Sequence, residues 1–167
     1  MVERVVVVDK YRVIYEGLFN FFELYKMISY YFEEKGYDKR EKKNIESVSE
    51  NGKYIELLFQ PWKKITDYAR SVLQLQIIVD DMKDVYVERD GLKVKVNQGK
   101  ITFVFDAYLE TDYENRWEKK PGLFFIRTLF DKYFYKPFTT NLEAEIKLDF
   151  DTLVDQIKGF LNLNKYR

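Results

Sequence analysis

From Lys39 to Leu109 the sequence follows a two-residue period, and this stretch decides what the chain can fold into. Period two is the mark of strands with one buried face, and strands joined by short turns can pair only antiparallel. The segment 39–49 (KREKKNIESVS) is so polar that it reads as an exposed edge strand, where lysines also discourage sheet-to-sheet association. Asn51-Gly52 is a hairpin signal, followed by a strand carrying Tyr54, Ile55, Leu57, Leu58 and Phe59 that Pro61 ends. Leu73, Leu75, Ile77 and Val79 then alternate with Gln74, Gln76 and Ile78 in a long strand with one buried face. Asp80 to Asp84 (DDMKD) falls between strands as a turn. Asp90-Gly91 marks a second hairpin between VYVE and LKVKV, and Gly99 a third turn. In the last strand Ile101, Phe103, Phe105, Ala107 and Leu109 share one face.

Both ends of the chain add helices. A first strand over roughly 3–15 stops at Gly17. Asn20 with Glu23 makes a capping box for a helix carrying Leu24, Ile28, Tyr31 and Phe32 and closed by Gly36. Residues 112–121 are polar, contain Pro121 and read as a loop; Leu123 to Tyr135 reads as a helix stopped by Pro137. Segment 141–148 fits strand and helix equally. Asp149 or Asp151 caps a last helix with Leu153, Val154, Ile157, Phe160 and Leu161. The expectation is one α+β domain spanning 1–167. It would be a curved antiparallel sheet of about six or seven strands, with a helix inserted after the first and C-terminal helices packed on one face.

This order of elements resembles the helix-grip fold of the START and Bet v 1-like superfamily, in which a curved sheet wraps a long C-terminal helix. The chain departs from it in having one long helix after strand one and an extra helix near 123–135. The stretches KKITDYARSVLQLQIIVDDMKDVYVERDG and FDAYLETDYENRW also resemble small archaeal proteins, a likeness that brings no function with it.

Composition removes most enzyme classes. The chain has no cysteine and no histidine. That excludes disulfides, thiolate nucleophiles, iron–sulfur clusters, Ser-His-Asp triads and imidazole acid–base chemistry. Catalysis would have to use carboxylates, Lys, Tyr, Ser, Thr or Arg, and the enzyme alternative is a histidine-independent hydrolase or cyclase resting on a buried carboxyl group of raised pKa in a cleft. DDMKD is similar to the DDxxD box of isoprenyl diphosphate synthases, but it stands between strands and has no second copy, so a turn is the preferred reading over cation binding or catalysis. Asp149, Asp151 and Asp155 invite a calcium or magnesium reading. An EF-hand count from Asp149 puts Val154 and Phe160 where glycine and glutamate belong, so helix capping is preferred. No glycine-rich phosphate loop occurs, and no serine lies in a GxSxG context. No metal or cofactor is expected.

Lysine plus arginine and aspartate plus glutamate number 28 each, so there is no overall basic field and nucleic acid is disfavoured as a partner. The absence of a long apolar run and of signal-peptide architecture at the start predicts a cytoplasmic protein. Aromatic residues make up 18%, enough for a bulky core, a lined cavity or an adhesive face. The leading expectation is a non-catalytic binding module holding a hydrophobic small molecule or lipid between sheet and helices. Its lining would be Leu73, Leu75, Ile77, Phe103, Phe105, Phe124, Phe130 and Phe160. The alternative is a contact surface for a protein partner or an anionic membrane in the basic, aromatic segment 116–138, through Trp117, Phe124, Phe125, Arg127, Tyr133 and Phe134. Burial of that segment in the core is the plainer reading.

Overall fold

The computed structural model describes residues 3–67, 69–111 and 135–165. They form an α+β arrangement: β1 (Glu3–Phe19), α1 (Phe21–Glu34), β2 (Glu41–Ser49), β3 (Gly52–Phe59), β4 (Trp62–Lys64), β5 (Ala69–Arg89), β6 (Leu92–Thr111) and α2 (Tyr135–Lys165). The strands make one antiparallel sheet in the order β1-β6-β5-β3-β2, with β4 also paired to β5.

The period-two stretch does form the sheet, but its punctuation differs from expectation. Asp80 to Asp84 is not a turn: it lies inside β5, where the register with β6 slips between Asp80 and Lys83 and Asp81 takes a positive φ of 53°. Gly99 is likewise inside β6, paired with Gly17 of β1, so neither glycine ends a strand. Close approach explains them. A Cβ on Gly99 would stand 2.9 Å from the Asp80 carbonyl oxygen, and one on Gly52 would stand 2.7 Å from the Asp81 carbonyl carbon. Glycine here permits a bulged strand to press against its neighbours. The result is one long β5–β6 hairpin whose turn is Asp90-Gly91, as expected, with Asp90 and Gly91 both at positive φ. Pro61 ends β3 because it has no N–H to donate, and the chain resumes pairing to the same strand as β4. That short strand went unforeseen.

Helix α1 matches its signals. The Asn20 side chain accepts the Glu23 amide at 3.1 Å, and Gly36 follows the helix at φ 74°. Helix α2 does not. It includes Pro137. It also runs unbroken through 141–148, so Asp149 and Asp151 cap nothing. The loop at 112–121 and the helix at 123–135, up to residue 134, lie outside the described residues.

Both helices pack on one face of the sheet. Leu24, Ile28, Tyr31 and Phe32 of α1 and Ile146, Phe150, Leu153, Val154 and Ile157 of α2 join Leu73, Leu75, Ile77 and Val79 of β5 and Ile101, Phe103, Phe105, Ala107 and Leu109 of β6 in a single apolar core. β2 keeps every side chain exposed and closes one sheet edge, as its lysines implied. No described helix is long and apolar enough to cross a membrane.

Candidate functional site

On the helix side of the sheet, side chains occupy the space between the layers. Leu73, Leu75, Ile77, Phe103 and Phe105 are all buried in the common core. Phe105 stacks on Phe103 at 6.2 Å and meets Phe150 of α2 edge-on at 5.6 Å. Phe160 is half-buried against the same core. The structure thus brings six of the eight expected lining residues together in one core. Phe124 and Phe130 lie outside the described residues, as do Trp117, Phe125, Arg127, Tyr133 and Phe134.

A polar cluster is set into this core. Asp149, 5% exposed, accepts a hydrogen bond from Tyr37 Oη at 3.0 Å and has Lys35 and Lys63 ammonium groups at 3.5 and 3.6 Å. The Tyr37 hydroxyl also lies 2.9 Å from Ser71 Oγ, and Tyr31 donates to the Asp149 carbonyl at 2.6 Å. Burial pushes the Tyr37 and Tyr31 phenols far above the ordinary range, and the Asp149 charge pushes the same way. This cluster ties the end of α1, β4, β5 and α2 together. Asp151 pairs instead with Lys147 on the helix surface, and Asp155 is exposed. Among the described residues no group of acids is arranged to hold a metal ion.

The opposite face of the sheet carries the even-numbered residues of β5 and β6, and there the chain builds a hollow of about 130 Å³. Arg4, Arg40, Lys42, Gln60, Trp62, Arg70, Val72, Tyr108 and Glu110 line it. Cross-strand register assembles it: Arg4 of β1 and Arg70 of β5 both stand opposite Glu110 of β6, while Val72 faces Tyr108 on one side and Trp62 on the other. Glu110 is 2% exposed and is shared between two guanidinium groups. Arg4 Nε donates to one oxygen at 2.9 Å; Arg70 grips the other through Nε at 2.6 Å and a terminal nitrogen at 2.5 Å. Aromatic faces fix both cations, Arg4 over Tyr108 at 4.9 Å and Arg70 over Trp62 at 5.5 Å. A buried carboxylate between two arginines is satisfied as a charge, and it holds the arginines in place.

A chain of amides runs toward the floor of this hollow. Asp106 is an acceptor only; it takes the Lys10 amide at 2.9 Å and the Gln74 Nε2 group at 3.2 Å. With its nitrogen so engaged, Gln74 presents Oε1 to Gln60 Nε2 at 3.4 Å, and Gln60 Nε2 in turn donates to Tyr108 Oη. Tyr108 therefore accepts, and its own hydroxyl proton has no acceptor among the described residues. Burial raises the Tyr108 pKa against the opposing charge of Arg4, so the proton stays on.

None of these residues was expected as a site. The signal was in the alternation: Asp106, Tyr108 and Glu110 interleave with Phe105, Ala107 and Leu109, and Arg70, Val72 and Gln74 with Ser71, Leu73 and Leu75. The outward face of a strand buried on its other side was readable, but not which strands lie together. No protein-family model, curated protein or solved structure matches the chain.

Proposed function

We propose that this protein is a non-catalytic binding module that takes its ligand in the hollow on the sheet face away from the helices. The observation that carries this reading is the lining itself. It offers fixed hydrogen-bond donors, two aromatic rings and one carboxylate already shared between two arginines. The two buried carboxylates among the described residues, Glu110 and Asp149, each lie against two cations and serve as paired structural charges. The core side of the sheet is filled at the positions first expected to line a cavity. The helix-grip likeness of the element order belongs with this reading as a resemblance, with the ligand moved to the other side of the sheet.

Trp62 provides the assay, since the chain has two tryptophans and the other is Trp117. In a Trp117→Phe background, emission should respond saturably to at least one member of a ligand set spanning neutral, apolar, cationic and anionic molecules. If no member shifts Trp62 emission, and amide resonances of Gln60 and Tyr108 also stay fixed, the hollow is not a binding site.

A further inference from the structure

We infer that the group this hollow accepts is an oxyanion, a phosphate or carboxylate on a small molecule. The inference rests on the hollow being the binding site and adds the chemistry of what enters it. Among the described lining residues Arg4, Arg40, Lys42 and Arg70 stand with a single carboxylate, Glu110, so this lining is rich in cations in a chain whose overall charge is zero. Glu110 does not exhaust them. Arg4 spends only Nε on it, so its two terminal amino groups carry no hydrogen bond among the described residues, although Tyr108 and Glu110 hold the guanidinium still. Arg40 and Lys42 are exposed and have no hydrogen-bond or ion-pair partner among the described residues. They stand at the rim because the Arg40 carbonyl accepts the Gln60 amide at 2.7 Å and the register slips between Glu41 and Lys43, leaving Lys42 unpaired in the β2–β3 ladder.

The neutral donor selects the same ligand. The amide chain from Asp106 fixes Gln60 as donor to Tyr108, which leaves the phenol proton directed to whatever fills the hollow. Among the described residues a fixed guanidinium, two exposed cations and an O–H donor line the hollow, and their donors outnumber the one side-chain acceptor left without a donor, Gln60 Oε1. That set complements a group offering several acceptor oxygens and no donor, and planar guanidinium geometry suits phosphate and carboxylate alike. The volume of about 130 Å³ admits one such group and little more, so the rest of the molecule would lie outside over the rim of Arg40 and Lys42.

The test titrates the full-length Trp117→Phe protein with inorganic phosphate and, separately, with succinate at low ionic strength, following Trp62 emission and the Gln60 and Tyr108 amides. The two arms distinguish phosphate from carboxylate. Binding should weaken about tenfold for Arg40→Glu or Lys42→Glu, as expected for reversing a charge several ångströms from an anion in a half-exposed site, and more for the pair. Tyr108→Phe should weaken it several-fold with no change in charge. Lys147→Glu, on the surface of α2, should leave it unchanged. Arg40 and Lys42 are exposed, so these variants keep the core, and unchanged amide dispersion verifies it. Failure of both anions to perturb the hollow, or equal loss in Lys147→Glu, overturns the inference. If neutral ligands bind there with no response to Arg40→Glu, the oxyanion falls while the binding module stands; if nothing binds, both fall.

Discussion

Replacing Tyr37 with phenylalanine isolates one atom that bridges β5 and α2. The lost hydroxyl bridges Ser71 Oγ at 2.9 Å and Asp149 Oδ2 at 3.0 Å, and all three residues are buried. The neutral bond contributes about 1 kcal/mol and the bond to the carboxylate roughly 1.5–3, with a further penalty because the Ser71 hydroxyl loses its partner. Asp149 keeps Lys35 and Lys63 nearby, so it does not become an uncompensated charge. The sum is about 3 kcal/mol, which for a chain of this length lowers Tm by roughly 6–12 °C. Urea unfolding and calorimetry measure it, with Tyr86→Phe as the exposed control. Adding Ser71→Ala to Tyr37→Phe should do less harm than the two single losses together, because it removes the stranded hydroxyl. A Tyr37→Phe loss below about 1 kcal/mol would refute the reasoning, since the cluster would then be incidental to stability.

The same burial makes stability fall in alkali. Tyr31 and Tyr37 hold their protons in the folded state well above the pH near 10 at which unfolded tyrosine titrates, so the unfolded chain binds fewer protons there. Their stabilisation is fully present below about pH 10 and declines as pH rises further, by up to about 1.4 kcal/mol per pH unit for each phenol; urea midpoints should drop above that pH, less steeply in Tyr37→Phe. Gly52→Ala should destabilise by about 2 kcal/mol or more, measured by urea unfolding, because its Cβ would lie 2.7 Å from backbone at a φ of 143°. Glu110→Gln should lower stability by about 2–3 kcal/mol, below the roughly 3–5 of a fully buried pair because Arg4 is largely exposed; an unchanged urea midpoint would show that the arginines do not need it.

The sheet was legible because the signals that specify it are local. Asp90-Gly91 forms the hairpin its backbone preferences imply, the chain also reverses beside Asn51-Gly52, though there the loop is Glu50-Asn51 and Gly52 is already paired with Ser49, and Asn20 and Gly36 bracket α1. The misreadings share a cause. Gly17, Gly99 and the DDMKD run carry turn chemistry, yet each serves a strand that bends, and a bulge uses the same residues as a turn. Asp149 misled in another way. An aspartate before an apolar run is the mark of a helix start, and only the tertiary partners Tyr37, Lys35 and Lys63 let it sit buried in the body of α2.

The hollow was hidden for a different physical reason. A linear window detects charge only where cations are consecutive, which is why 116–138 drew attention. The hollow's cations come from three separate places, Arg4, Arg70 and the pair Arg40 and Lys42, and the KREKK run that holds this pair reads in sequence as a solvated edge strand. Register makes them neighbours: antiparallel pairing of β1, β6 and β5 sets Arg4, Glu110 and Arg70 in one row, and Pro61 shifts the chain so that Trp62 pairs with Val72. Glu110 then becomes the informative residue. An outward-facing acid near the end of a strand reads as a solvated charge, but here it is buried on the sheet face that has no described helix, and that burial requires counter-charges on both sides. Those counter-charges come from the two flanking strands. Among the described residues this row therefore sets two guanidinium groups beside one carboxylate. That arrangement follows from how the sheet buries its own acid, and Arg40 and Lys42 add cations at the rim.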